Sequence, residues 1–400
     1  MLSTGKICED IAKTAQRHGW ETYVAYGRWA KPGVNREIRI AGMWNTYLHY
    51  AEQRLLDNEG LSSRFATKRL IRKIKEIKPD VVQLHDLHDH YINFPILFEY
   101  LRESDIPVVW TMHDCWAFTG RCYYFDMSGC DRWKTGCHDC PQHYVYPNNS
   151  VLERSVRNYA LRKKYFEGMK NLTIVSCSQW IADLAKESFL KDKRIEVIHN
   201  GIDLSRFKPI PSNSTNCKFS ILGVAAVWEP RKGFNDFLKL RELLPLDEYK
   251  ITLVGLKPEQ IEKLPEGING ITRTTNIEEM VQLYSDADVF VNPTYSDNFP
   301  TTNLEAIACG TPVITYKTGG SPEAIDSSTG VVIPQGDIEG LVETIKDLKE
   351  NPLSANDCRM RAEEKFDKDR AFEKYVKLYN SLINNEIGGV KGLKPVESRN

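Results

Sequence analysis

A doubly wound α/β chain of two domains is the fold class the sequence predicts, and three observations carry the prediction. Short apolar runs alternate with helix-patterned segments over most of the length, the pattern of parallel strands joined by crossover helices. At 400 residues the chain exceeds what one hydrophobic core ordinarily holds. A polar, proline-rich stretch, Pro209-Ile210-Pro211-Ser212-Asn213-Ser214-Thr215-Asn216, interrupts the alternation near the middle and reads as a linker.

The elements follow in order. The chain opens on Ser3-Thr4-Gly5-Lys6, which reads as a glycine turn, and a helix over Ile7–His18 comes at once. A doubly wound domain usually places a strand before that turn, so the first strand is expected to be missing. Strands are expected at Val81–Leu84, Val108–Thr111, Ile174–Ser176 and Glu196–Ile198, with a helix over Phe94–Arg102. The pattern restarts at Phe219–Val224 and continues at Ile251–Gly255, Val289–Val291 and Pro312–Thr315. A final helix over Ala371–Ile383 carries Tyr375, Leu378, Tyr379 and Leu382 on one face. The expected division is a first domain over 1–207, a second over 208–370, a helix over 371–387 packing back across the cleft, and a loose tail over 388–400.

Composition narrows the function. The formal net charge is -1, which argues against a chain that wraps nucleic acid. The halves differ in sign: residues 1–205 carry +4 and residues 206–400 carry -5. No stretch is apolar and long enough to span a bilayer, and the polar start does not read as a signal peptide. A cytoplasmic protein is therefore expected. Its ten cysteines then read as reduced thiols or metal ligands rather than disulfides.

The most informative segment runs from Asn292 to Ile314. It reads as strand end, loop, helix, glycine stop, strand. Its loop thus lies outside the carboxyl end of a parallel strand, where open α/β sheets bind ligands. Asn298, Phe299, Pro300, Thr301, Thr302 and Asn303 lead into the helix, whose free N–H groups suit a phosphate or sugar hydroxyls. Glu305 follows one or two turns in, and its two oxygens fit a ribose diol. A plain capped helix is the bland alternative. A second segment, Ala225 to Phe234, leaves the first strand of the second half. Arg231 and Lys232 there are placed to neutralise a diphosphate, although a solvated Arg-Lys pair is common.

On these residues the chain resembles the retaining glycosyltransferases of family four, with the GT-B fold of two facing Rossmann-like domains. It is most similar to the colanic-acid and capsule branch of exopolysaccharide enzymes. The family pairs an acid with a Glu after seven intervening residues, and the pair here is Asp297 and Glu305. The first acid is usually Glu and the next residue Gly, where this chain has Asp297 and Asn298. The resemblance implies that Asp297 meets the donor sugar and Glu305 the ribose. Its diphosphate clamp is Lys232 with an Arg six residues earlier, but that position is Ala226. Arg231 is the available substitute. Asn200-Gly201-Ile202-Asp203 matches the family's turn closing the first domain. Gly319-Gly320-Ser321-Pro322-Glu323 matches a second glycine loop near the donor.

The first half supplies the other wall. The resemblance places His113, in Thr111-Met112-His113-Asp114, beside the transferred sugar; a hydrogen-bonded strand-end His is the alternative. His85, Asp86 and His88 end the preceding strand and are acceptor-side candidates. Gly5 permits close approach of the backbone to a phosphate. Asp286 and Asp288 do not read as a metal pair, and no metal is expected in catalysis. The resemblance implies transfer from a UDP- or GDP-sugar to a glycan or lipid-linked acceptor, with retention. A sugar-nucleotide epimerase of the same fold and a non-catalytic sugar-binding subunit are the rivals. A nicotinamide oxidoreductase fails for want of G-x-G-x-x-G after an opening strand.

Two features remain. Cys122, Cys130, Cys137 and Cys140 stand as C-x7-C-x6-C-x2-C in a loop over 115–142 that would overhang the acceptor side. They fit a closed structural zinc site or a buried thiol cluster, with a disulfide or an iron–sulfur site as the remaining alternatives. A helix around Arg64–Lys78 carries seven basic residues against one acid, and Arg154, Arg157, Arg162, Lys163 and Lys164 form a second cluster. Either they are solvated faces, or they rest peripherally on an anionic membrane surface.

Overall fold

The computed structural model describes residues 3–27, 36–144, 150–211 and 218–387. Most of the expected linker and the expected tail lie outside the described residues. Among the described residues all strand pairings are parallel. The first half holds β1 (Val24–Tyr26), β2 (Glu37–Arg39), β3 (Val82–Leu84), β4 (Val108–Met112), β5 (Leu172–Ser176) and β6 (Arg194–Val197). The second holds β7 (Phe219–Val224), β8 (Tyr249–Val254), β9 (Ile268–Ile271), β10 (Val289–Asn292), β11 (Val313–Tyr316) and β12 (Gly330–Ile333). Strands β4, β5, β10 and β11 are buried at every position. That burial is why they read as continuous apolar runs, as parallel strands covered on both faces must.

The second-half sheet runs β12-β11-β10-β7-β8-β9. Strand order reverses between β7 and β10, so the loops leaving those two strands diverge and open a crevice at their carboxyl ends. Strands β9 and β12 extend this sheet beyond the four strands expected from sequence.

The first half is less regular. Strands β3-β4-β5-β6 form one sheet, and β1 and β2 form a separate pair. A cavity of about 280 Å³ lined by Ile11, Val24, Ile38, Leu70, Val82 and Leu84 lies between them. Among the described residues no strand precedes the first helix, Ser3–Arg17. The expected turn at Ser3–Lys6 is a correction: those residues are already helical. Hydrogen-bonded turns at this end extend the amphipathic face of Ile7 and Ile11, both buried.

The last helix, Lys368–Ile387, belongs to the first half although it ends the described chain. Its Phe372, Tyr375, Leu378 and Tyr379 pack with Ile7, Ile11, Val109 and Val175. Thr111 Oγ1 donates to Tyr375 Oη at 3.1 Å, and Tyr379 Oη donates to Gln83 Oε1 at 3.0 Å. The chain crosses between halves at Phe366–Lys368. There Ile202 N–H donates to the Phe366 carbonyl at 2.7 Å and Lys368 N–H returns to the Ile202 carbonyl at 3.1 Å.

Candidate functional site

The crevice beside β7 and β10 is shaped by glycines. Residues Pro230–Lys232 form a single 3-10 turn closed by Gly233 at φ 74°. A Cβ on Gly233 would lie 2.1 Å from the Pro293 carbonyl oxygen. Only glycine lets the β7 loop settle onto the β10 loop, and that contact carries Lys232 to Asp297. Their side chains form an ion pair. Gly319 and Gly320 act from the other side: a Cβ would come within 1.8 Å of the Asp297 carbonyl and 2.2 Å of that of Asn298. The helix Thr301–Ala308 then presents Glu305, which accepts a hydrogen bond from Tyr284 Oη at 2.9 Å. Burial pushes the Glu305 carboxyl up to about 7, and only Tyr284 and the nearby Lys6 ammonium oppose the rise.

The facing wall comes from the ends of β3 and β4. His85 Nδ1 lies 3.1 Å from His113 Nε2, with the rings stacked at 17°. One ring must donate and the other accept, so at least one stays neutral; burial holds both below their ordinary pKa. His88 Nε2 lies 2.8 Å from Asp114 Oδ2 and 3.8 Å from Asp86 Oδ1. Burial works against its charge, but Asp114, Asp86 and Glu59 outweigh it and lift the His88 pKa to about 10. His88 is therefore a cation between carboxylates at neutral pH. Among the described residues, Asp86, His88 and Asp114 are the group whose ligand atoms lie mutually within 4.8 Å. A metal would first have to displace that proton, so the set fits a self-satisfied ion network better than a cation site.

Four contacts tie the walls together. Asn298 Nδ2 donates to the His113 carbonyl at 2.7 Å, and Ser296 Oγ donates to Asp126 Oδ2 at 2.6 Å. The Arg231 guanidinium sits over the Tyr124 ring at 4.6 Å. Glu323, from the second glycine loop, caps a first-half helix: it accepts from the N–H groups of Gln179 at 2.7 Å and Trp180 at 2.8 Å, with His199 Nε2 2.8 Å away. A carboxylate on free N–H groups at a helix start is favourable on both hydrogen-bonding and dipole grounds.

The structure therefore brings Lys232, Asp297, Asn298 and Thr301 to one crevice mouth, with Glu305 beside Lys6 and His113 opposite. Several expected site residues are placed differently. Arg231 is engaged by Glu229 Oε2 at 3.0 Å, the Ser296 carbonyl at 3.1 Å and Tyr124, so it braces the loops instead of standing free for a phosphate. Phe299 is buried and stacks on His199 at 4.9 Å, and Pro300 is buried at the helix start. Gly201 meets the crossing segment, where a Cβ would lie 2.3 Å from Lys368 Cα, and Asn200 beside it is buried. Gly5 lies in the first turn of a helix; beside it Thr4 bonds Asp86, and Lys6 acts on Glu305. Arg162 is no surface charge: it is buried on the Trp116 ring at 3.9 Å and donates to the Trp116 and Thr119 carbonyls. The cysteine loop, expected over the acceptor side, reaches the β10 loop through Tyr124 and Asp126. Sequence reasoning missed Tyr124, Asp126 and Tyr284, which contact the site from other segments and carry no motif of their own; Ser296 and Lys6 stand inside segments it singled out but were given no role.

Comparison with known proteins identifies the family and the fold. Residues 4–206 match the Glycosyltransferase Family 4 model and residues 208–365 the model of group 1 glycosyl transferases. The chain is 25% identical over 94% of its length, and 96% of the relative's, to WcaC of Escherichia coli K12, by name a colanic acid biosynthesis glycosyl transferase. It is 29% identical over 51% of its length, and 59% of the relative's, to an undecaprenol-linked N-acetylgalactosaminyltransferase of Campylobacter jejuni. Its fold is similar to sucrose-phosphate synthase of Thermosynechococcus elongatus (TM-score 0.68, 17% identity, 94% and 92% of the two chains). Anabaena HepE, solved with UDP, gives TM-score 0.64 at 16% identity over 95% and 96%. Two facing parallel-sheet halves are the GT-B architecture, and with the family match over its first half and the group 1 match over its second, the chain belongs to glycosyltransferase family 4.

Proposed function

We propose that the enzyme moves a sugar from a UDP- or GDP-linked donor to a glycan or lipid-linked acceptor, with retention at the anomeric carbon, in exopolysaccharide, capsule or lipopolysaccharide synthesis. The observation that carries the reading is the Lys232–Asp297 ion pair, next to Asn298, whose side chain reaches the His113 carbonyl of the other half. Pyrophosphate is the ligand that would exchange into such a pair. It takes the Lys232 ammonium, and the released Asp297 carboxylate is free to accept sugar hydroxyls. Glu305 takes the ribose diol, at the cost of its bond from Tyr284. As the glycosidic bond breaks, charge develops on the departing diphosphate, and Lys232 stabilises it there. Closure of the two halves keeps water from the donor. Catalysis in this reading needs no metal. His85, Asp86 and His88 shape the acceptor side through their ion network, and Gly5 brings the first helix against it.

The UDP-bound HepE structure and the undecaprenol-linked relative support the donor and acceptor classes. A peripheral seat on an anionic, cytoplasmic membrane face is supported by one surface. The helix Met43–Leu56 exposes Trp44 (84%) and Leu48 (67%), and Phe65 (88%) heads the basic helix Arg64–Ile77. Exposed aromatics beside a basic face are what an interfacial helix presents. No described helix is long and apolar enough to cross a membrane.

A thermal-shift panel of nucleoside diphosphates tests the donor site. Ligand at about 100 times Kd should stabilise by about 2.7 kcal/mol. Glu305→Ala should abolish that shift, and an undiminished shift would remove the assigned site. Release of free sugar without acceptor, or inversion seen by NMR of the product, would redirect the reading to the epimerase class or to the opposite stereochemistry.

A further inference from the structure

We propose that Cys122, Cys130, Cys137 and Cys140 bind one structural Zn²⁺, which fixes the loop that roofs the crevice. The four residues line a single small cavity of about 20 Å³, and all are free thiols. Cys122 and Cys140 hydrogen-bond to each other. Gly120 N–H donates to Cys137 Sγ at 3.1 Å, the kind of backbone N–H···S bond that orients a thiolate ligand. The last pair is C-x2-C, and Asp139 at φ 41° turns the chain between its two members. Tetrahedral zinc with bonds of about 2.3 Å needs sulfurs about 3.8 Å apart. Among the described residues no three of these sulfurs fall within 4.8 Å of one another, so binding must draw them inward by rotation of the side chains.

Two physical facts favour a metal over a bare thiol cluster. From Cys115 to Tyr144 the chain forms only three short 3-10 turns, with no α-helix or strand to hold it. Its Trp116, Phe118, Phe125 and Trp133 are anchored in the first-half core, but the four cysteines lie at its partly exposed edge, where a metal cross-link supplies order that packing does not. Four thiolates on Zn²⁺ also leave a net charge of -2, and Arg121 and Arg132 line the same cavity. The consequence reaches the donor side, since this loop carries Tyr124 to Arg231 and Asp126 to Ser296.

The test is metal analysis of the full-length protein, expressed with zinc and purified under reductant. One equivalent of zinc is expected, falling below about 0.2 in Cys137→Ser/Cys140→Ser and unchanged in His138→Ala. Chelated wild-type protein should take up one Co²⁺ and show a thiolate-to-cobalt charge-transfer band. That reconstitution does not depend on the folding of any variant, nor on donor binding. Absence of both zinc and the cobalt band overturns the proposal. So does iron in place of zinc, or loss of titratable thiols to disulfides in protein prepared without reductant.

Discussion

The two walls of the crevice are built in opposite ways. The second-half wall is local. Lys232 lies eight residues past β7, and Asp297 and Glu305 lie within thirteen residues of the end of β10. Strand, glycine-shaped loop and helix follow one another directly, so a short string of sequence carries the geometry. The first-half wall is assembled from residues 4–6, 85–88, 113–114 and 124–126, brought together only by packing. A site on consecutive residues tolerates changes elsewhere. A site gathered from four segments inherits the stability of everything that holds them.

Substitutions can break or sharpen that contrast. The largest effect is expected at Lys232. Lys232→Ala removes the cation facing the leaving diphosphate, and kcat should fall by about 10²–10³ with the fold intact by circular dichroism, as loss of one charge-stabilising group does elsewhere. A drop under about fivefold would mean that another cation does this work.

Next is Glu305. Its folded pKa of about 7 exceeds the ordinary 4.5, so the folded state holds an extra proton between those values and stability falls as pH rises through that window. Glu305→Gln removes this penalty. It should melt higher than wild type above pH 7 without ligand, by about 1–2 kcal/mol in urea titration after allowance for partial exposure, and lose the advantage at pH 4.5. Since the ribose needs the ionised form, UDP affinity of the wild type should weaken by up to about tenfold per pH unit below 7. A flat profile measured by calorimetry from pH 5.5 to 8 would detach Glu305 from the ribose.

The gathered wall should respond through fit rather than charge. Glu323→Gln weakens the cap on the Gln179 helix, and Asn298→Ala cuts the bond to the His113 carbonyl. Each should raise the KM for donor by about 5–10-fold, the effect of losing one hydrogen bond to a charged or buried partner, while thermal midpoints move little. If both leave KM untouched and lower kcat alone, the contacts act after donor binding. The smallest effect is expected at Tyr124→Leu. Loss of the stacked Arg231 should cost about 0.5–1 kcal/mol, read as a two- to fivefold rise in KM.

Much of the second half is legible in the sequence because its signals are contiguous. Apolar runs mark β7, β8, β10 and β11, and the Asp297–Glu305 spacing marks the site. β9 and β12 escape because Gly270 breaks the apolar run of Ile268–Ile271, and Gly330–Ile333 opens on a glycine straight after the polar Asp326–Thr329. β1 and β2 escape because Val24–Tyr26 and Glu37–Arg39 are mostly at least partly exposed and carry no two consecutive branched aliphatic residues, whereas the equally short β3 is announced by Val81-Val82. Arg231 and Arg162 read from sequence as charges available for a ligand or a lipid. Composition says that a guanidinium is present, not whether an aromatic ring and nearby oxygens have already claimed it.

By itself, then, the amino-acid order determined the alternation of strand and helix, the placing of the Asn292–Ile314 loop at the carboxyl end of a strand and the chemistry of its charged residues. Those depend on neighbours along the chain. Only the tertiary structure decided that His88 is a cation, that Glu305 sits near neutrality, and that Tyr124 and Asp126 close over the β10 loop. Burial and long-range juxtaposition set pKa values and contacts, and both arise from segments far apart in the chain, whose meeting no local pattern encodes.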